Sequence, residues 1–274
     1  MLDGLVLKER DDPLKFILSM IAYSAFFTIV SVYATKRIIP FQVDNINFGG
    51  LVAVFFATIA VSYPLTDFLR SRDEEELKNN WKESNIIYRH FEELLVYIGV
   101  FLATTLAFGI TSYFLNDGFF TIQEMILEGI RGDFAATGNI TASAAFYKIL
   151  FNNFWVFLAT FGISFLISGG MAFVIIWNAS IVGVLIGKLS SSIVDIPIQL
   201  MPYIVHGTVE IAAYVFAGFA GYLFAYHFET FCKHETHSEC SFNIVMKDGF
   251  VLLVLGLLFL VLGASLETGY PFVL

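Results

Sequence analysis

The chain has 274 residues, of which 57% are hydrophobic and 14% are charged, and its mean hydropathy is +0.76. This composition excludes an ordinary soluble domain, in which about 25% of residues are charged. The net charge is −9, and the sequence has no basic patch of the kind that binds nucleic acid. We therefore predict a polytopic membrane protein that is surrounded by the lipid bilayer.

Several apolar segments approach or exceed the roughly 20 residues that a helix needs to cross a hydrocarbon core of about 30 Å. The run 151–189 is almost twice that length, and we divide it at Ser168-Gly169-Gly170 because glycine permits a tight turn. The two arms of this hairpin are short, which predicts either a locally thin bilayer or a turn in a protein-lined depression. The predicted fold is all-α, a polytopic bundle of about seven transmembrane helices at 16–35, 48–69, 94–115, 153–167, 171–187, 206–227 and 250–266.

The connections between these helices differ in character. Residues 70–93 are strongly charged, which predicts an aqueous helical linker or, alternatively, a segment that docks on a partner. Residues 122–130 predict an amphipathic helix at the membrane interface, with Gln123 and Glu124 on its polar side. We expect a loop containing Asp195, Pro197 and Pro202 before the sixth helix.

The distribution of basic residues predicts the orientation of the chain. With seven helices and a cytoplasmic N-terminus, ten of the 15 Lys and Arg residues fall on the cytoplasmic side. Because inner loops carry the excess of Lys and Arg, we expect a cytoplasmic N-terminus and an external C-terminus in the cell membrane.

Ionisable residues occur within the predicted sixth helix, where His206 and Glu210 are four residues apart. At 100° per residue, they share one stripe with small residues, so we expect this stripe to face one neighbouring helix. Because charged groups are costly in lipid, the pair should be turned inward and hydrogen-bonded. The remaining members of the stripe are Ala213, Ala217 and Gly221.

Other helices offer polar partners and a second packing motif. Asn153, Asn178 and Glu267 are the candidates to complete an intramembrane polar network with His206 and Glu210. Gly183 and Gly187 have the GxxxG spacing that suits tight helix packing.

The His206–Glu210 pair has three interpretations, which are a structural or gating network, a proton-coupling or substrate-coupling site, and a catalytic metal site. The stretch lacks the second histidine of an HExxH motif, and the sequence has no GxSxG elbow. We therefore expect no catalytic residue and no cofactor.

A polar segment between the last two helices, FCKHETHSEC, contains four residues of metal-ligating type. Their spacing is not one of the common zinc patterns. An ordinary polar loop, a metal site and a disulfide all remain open, although a cytoplasmic position argues against the disulfide. The four residues are Cys232, His234, His237 and Cys240.

Four short motifs follow one another along the predicted helices. They are N-N-F at 152–154, W-N-A-S-I-V-G-V-L-I-G at 177–187, H-G-T-V-E at 206–210 and L-E-T-G-Y-P at 266–271. In this order, the motifs resemble the stage II sporulation protein M family of integral membrane proteins, and the resemblance covers about Glu92 to Pro271. Val205 stands where the family usually has Pro, and Ala179 stands where it has Gly.

The resemblance implies a five-helix core at 93–274, with an added N-terminal helix pair at 1–70 and a charged cytoplasmic linker helix at 71–92. It also implies a membrane scaffold or assembly factor with a membrane or envelope protein partner, because the sporulation member resembles such an anchor. A transporter or permease that uses His206 and Glu210 is the second expectation, and a membrane-embedded hydrolase is the third. The small-residue faces are compatible with a homodimer, although helix contacts within the monomer can equally bury these faces.

Overall fold

The computed structural model describes residues 12–38, 42–43, 46–78, 90–115, 117–135, 142–167, 169–233 and 239–269. Within these ranges, the side chains at 42–43, 73–78, 130–135, 142, 226–233 and 239–245 are not described.

Helices account for nearly all of the described chain, and a two-stranded antiparallel ladder, β1 (Gln42–Val43) and β2 (Ile46–Asn47), joins the first two. Seven of the helices are long and apolar enough to cross a membrane, which confirms the predicted fold class. The shorter helix is α4. The helices are α1 (Pro13–Ile38), α2 (Gly49–Lys78), α3 (Phe91–Phe114), α4 (Thr121–Ala135), α5 (Ala142–Leu166), α6 (Gly170–Leu189), α7 (Asp195–Lys233) and α8 (Glu239–Gly269).

The long apolar run divides where the glycines predict, between Leu166 and Gly170. Its two arms are longer than expected. The first arm, α5, begins at Ala142, well before Asn153, and the second arm, α6, extends from Gly170 to Leu189. Lys148 and Asn152 interrupt the apolar pattern there, but neither residue type breaks a helix. Both arms have enough residues to cross an ordinary bilayer, so the short arms predicted from the sequence are wrong.

The loop expected before the sixth helix is also wrong, because α7 is already helical from Asp195. The Ser192 backbone N–H donates to Asp195 Oδ2 over 2.7 Å at this end. Pro197 lies in the first turn, where its missing N–H would have no helical partner. Pro202 lies inside the helix, and proline is tolerated there in membrane helices.

Three helices form the centre of the bundle. The spans of α3, α6 and α7 are the most buried, whereas those of α1, α5 and α8 are the least buried. At the centre, α3 packs against α6, and α7 packs against both α5 and α8. The first helix, α1, packs on α3 and α2.

The packing face of α1 is made largely of small hydroxyl side chains. Small residues let membrane helices approach closely, so this face attaches α1 to α2 and α3. The hydroxyl residues are Ser24, Thr28, Ser31 and Thr35, all of them buried.

The amphipathic helix α4 packs with part of its polar side against α6. Gln123 is fully buried, and its Nε2 donates to Ser180 Oγ over 3.4 Å. Glu124 forms an ion pair with Lys188, whereas Met125 is half-exposed. The segment is helical, as predicted, but Gln123 of its predicted polar side is buried, because hydrogen bonding to α6 and not apolar character determines which residues are buried.

Candidate functional site

Glu210 lies at the junction of three helices. The Asn153 Nδ2 of α5 donates to Glu210 Oε1 of α7 over 2.6 Å, and Asn153 is buried. The Glu267 carboxyl, near the end of α8, lies close to that of Glu210. One side chain of α7 is therefore hydrogen-bonded to α5 and lies next to α8.

The close approach of α8 at this point requires a glycine. A Cβ added at Gly263 would lie 2.7 Å from Glu210 Cγ, which is too close for a real contact. One helical heptad earlier, Gly256 faces the Ala213 carbonyl, with 3.1 Å between that oxygen and an added Cβ. Neither glycine was predicted from the sequence to pack helices, although their seven-residue spacing places them on one helix face.

His206 is buried, and its ring lies beside that of Tyr203 on the same helix, with 5.9 Å between the ring centroids. In the described part of the chain, no hydrogen bond joins His206 to Glu210, so the two residues share a helix but not a bond.

Asn178 is the predicted network member that the described bonds leave outside. Its Nδ2 donates to the Val174 carbonyl one turn earlier in α6, over 2.7 Å. This bond satisfies the amide locally, as polar side chains in membrane helices often do.

The residues predicted to pack helices lie against two different sets of neighbours. An added Cβ at Gly183 would lie 2.5 Å from the Thr105 carbonyl of α3, and one at Gly187 would collide with Ser112 Oγ and the Gly109 carbonyl. The α6 glycines therefore place two backbones in direct contact.

The small-residue stripe of α7 faces two helices and not one. A Cβ at Gly221 would collide with the Phe161 carbonyl of α5, whereas the Ala213 carbonyl approaches Gly256 of α8. Ala217 is fully buried in the same region. The stripe thus lies in the angle between α5 and α8, where Glu210 also lies.

A groove of about 570 Å³ runs along the surface between α5 and α8. Its lining is mainly apolar and includes neither His206 nor Glu210 nor Glu267. The lining residues are Tyr147, Lys148, Leu150, Phe151, Phe154, Leu257, Leu260 and Val261.

The sequence left a metal site open at four residues of the FCKHETHSEC segment. The side chains of these residues are not described, and they are Cys232, His234, His237 and Cys240. Within the described residues, no three His, Cys, Asp or Glu side chains are grouped so that they could hold a metal ion.

The family model described as stage II sporulation protein M matches residues 48–270. The match includes α2, so it begins earlier than the resemblance, which starts at Glu92. No curated protein and no solved structure matches the chain. The motifs at 152–154 and 206–210 lie within the matched range. They contain Asn153 and Glu210, which are hydrogen-bonded to each other at the three-helix junction. Since the match covers most of the chain and seven helices suit a membrane, the protein is a multi-pass membrane protein that belongs to the stage II sporulation protein M family.

Proposed function

We propose that the protein is a non-enzymatic membrane scaffold or assembly factor that holds a membrane or envelope protein partner at the bilayer. The observation that carries this proposal is the bond of 2.6 Å between Asn153 Nδ2 and Glu210 Oε1. This bond joins the Glu210 carboxyl, within the span of α7, to the neighbouring helix α5. A scaffold needs helices held in fixed positions, and satisfied polar groups within a membrane do this.

The position of the groove also supports a scaffold. A transport pathway for a polar solute should be lined by polar groups, as selective pores and transporter sites are. The groove between α5 and α8 has an almost wholly apolar lining that leaves out His206, Glu210 and Glu267.

Transport of a small solute or ion is the alternative, and one observation favours it. The Glu210 and Glu267 carboxyls lie close together, within the spans of α7 and α8. Neighbouring acidic residues inside a membrane are a common feature of proton relays.

Two substitutions at Glu210 separate these functions. Glu210→Gln keeps an oxygen to accept from Asn153, but it cannot take up or release a proton. Glu210→Ala leaves Asn153 without its partner. For a scaffold, we expect the Gln variant to retain a co-purified partner and nearly normal thermal stability, and the Ala variant to lose about 1–2 kcal/mol of stability.

The deciding measurement is flux in proteoliposomes loaded with a pH-sensitive dye and with candidate solutes. A scaffold gives no flux above that of empty liposomes in wild type or in either variant. Proton or solute flux in wild type that disappears in Glu210→Gln, with stability unchanged, would replace the scaffold by the transporter.

The proposal includes the cell membrane with a cytoplasmic N-terminus and an external C-terminus, supported by the ten of 15 basic residues on the inner side. The only two cysteines of the chain, Cys232 and Cys240, lie in the connection that this orientation places inside. A membrane-impermeant maleimide should therefore label them in permeabilised cells and not in intact cells. Labelling of intact cells would reverse the orientation.

A further inference from the structure

An exposed polar side chain lies on the outward face of α5, within its membrane span of Ser143–Leu166. Asn152 is exposed, and its Nδ2 is 3.4 Å from Asn153 Oδ1, which is a long and weak hydrogen bond. It is one helical turn deeper in the span than Lys148. An amide that faces hydrocarbon loses its bonds to water, so such residues usually find a partner in a neighbouring helix.

The same face of α5 is open enough to admit another helix. Ala159 and Gly162 lie within about 80° of Asn152 around the helix axis. A Cβ added at Gly162 would have no atom within 4 Å, in contrast to the glycines of α6 that pack against α3. Trp155, on the same face, is 57% exposed.

The chemistry of the amide identifies the partner. An asparagine side chain carries both a donor and an acceptor, so two copies related by a two-fold axis satisfy each other with two matched bonds. Alanine and glycine beside the amide permit the close approach that such bonds require. Ala159 and Gly162 are not among the small residues that the sequence predicted for a homodimer. Of those predicted residues, Gly183, Gly187 and Gly221 already pack against other helices of the monomer.

We propose that a second copy of this chain packs on the outward face of α5, with the Asn152 amides of the two copies hydrogen-bonded across a two-fold axis. This dimer goes beyond the scaffold function and is independent of it. A monomeric protein could still assemble partners, and a dimer could still transport, so the two proposals fail in different experiments.

Disulfide trapping in native membranes tests the contact directly. In a Cys232→Ser, Cys240→Ser background, Asn152→Cys and Ala159→Cys should each give a cross-linked dimer on mild oxidation. Leu258→Cys is the matched control, since Leu258 is 60% exposed in the span of α8 and does not line the groove beside α5. The proposal is overturned if Asn152→Cys gives no dimer, if Leu258→Cys gives as much, or if Asn152→Cys cross-links to a different protein.

The dissociation constant in lipid, measured by energy transfer between labelled copies on dilution with lipid, tests the role of the amide. Asn152→Leu should weaken the dimer about tenfold, because it removes two intramembrane hydrogen bonds. Asn152→Gln should restore much of the affinity, and Gly162→Leu should weaken the dimer by blocking close approach. Asn152 is exposed in the monomer, so Asn152→Leu should leave the melting temperature of the dilute protein unchanged. An unchanged dissociation constant in Asn152→Leu, or a wild-type protein that stays monomeric at high protein-to-lipid ratio, would contradict the proposal.

Discussion

The contact between α3 and α6 and the contact of α7 with α5 and α8 join membrane helices in different ways. At Gly183 and Gly187, backbone meets backbone, and nothing larger than hydrogen fits. At Glu210, side chains of α7 and α5 are hydrogen-bonded, and Gly263 of α8 makes room for the Glu210 side chain. The first contact depends on shape and the second on chemistry.

This difference indicates where the protein can change without unfolding. A contact between two backbones has one arrangement, because neither backbone can move aside without breaking its own helix. A contact made by flexible carboxyl and amide groups can rearrange or change its protonation while the helices stay in place. We therefore expect substitutions at the contact between α3 and α6 to cost more stability than substitutions at the polar contact, where side chains can adjust while α5 and α8 stay in place.

The largest effect should follow from Gly187→Ala, which tests the rigid contact. The added Cβ collides with the Gly109 carbonyl and with Ser112 Oγ, and a backbone carbonyl cannot rotate away. Overpacking of this kind costs about 1–3 kcal/mol and occasionally more, and we expect the upper part of that range. The measurement is the apparent melting temperature in detergent.

Gly207→Ala is the matched control for this change. It is the same substitution in a membrane helix, but a Cβ at Gly207 has no atom within 4 Å. It should be neutral or slightly stabilising, because alanine favours a helix more than glycine does. Equal losses in the two variants would mean that the α3–α6 backbones are not in the close contact described.

A smaller loss should follow from Gly263→Ala, which tests the polar contact. The new Cβ lies 2.7 Å from Glu210 Cγ, and this side chain can move, though only at the expense of its bond to Asn153. We expect a loss of about 1 kcal/mol, equivalent to weakening one hydrogen bond.

A double-mutant cycle with Glu210→Ala shows whether that loss arises at the carboxyl. Removing Cγ removes the collision, so Gly263→Ala should cost clearly less in the Glu210→Ala background than in wild type. If the two losses simply add, Gly263 acts on something other than Glu210, and the packing of α8 against this side chain is wrong.

Much of the fold could be predicted from the sequence, because apolar length and glycine position determine where membrane helices begin and turn. The errors fall where local polarity was given too much weight. Lys148 and Pro202 each made a helix look shorter than it is, although bilayer-spanning segments tolerate both residue types within a helix.

The site was predictable in its parts and not in its connections. Helical phase placed Glu210 among small residues, but which polar partner lies across the interface depends on how three helices pack. Asn153 and Asn178 look equivalent in the sequence, and in the structure one donates to Glu210 while the other donates to its own helix. The functional roles of these residues stay predictions.

The smallest effect should come from an ion pair in water, which gives a baseline for both intramembrane contacts. Lys36 Nζ, at the end of α1, is 2.8 Å from Asp117 Oδ2 in the connection between α3 and α4, and both side chains are more than one-third exposed. The hydrogen bond from Lys36 lowers the pKa of Asp117 below its ordinary value of 3.8. A lowered pKa means that the pair stabilises the fold above that value and loses its contribution as the pH falls through the lowered one. Lys36→Gln should therefore cost at most about 0.5 kcal/mol near neutral pH, and this cost should disappear as the pH falls through the lowered pKa of Asp117. Asp117→Asn should cost the same, and the double variant no more than either. A cost that persists in acid would assign the effect to the packing of the Lys36 side chain and not to its charge.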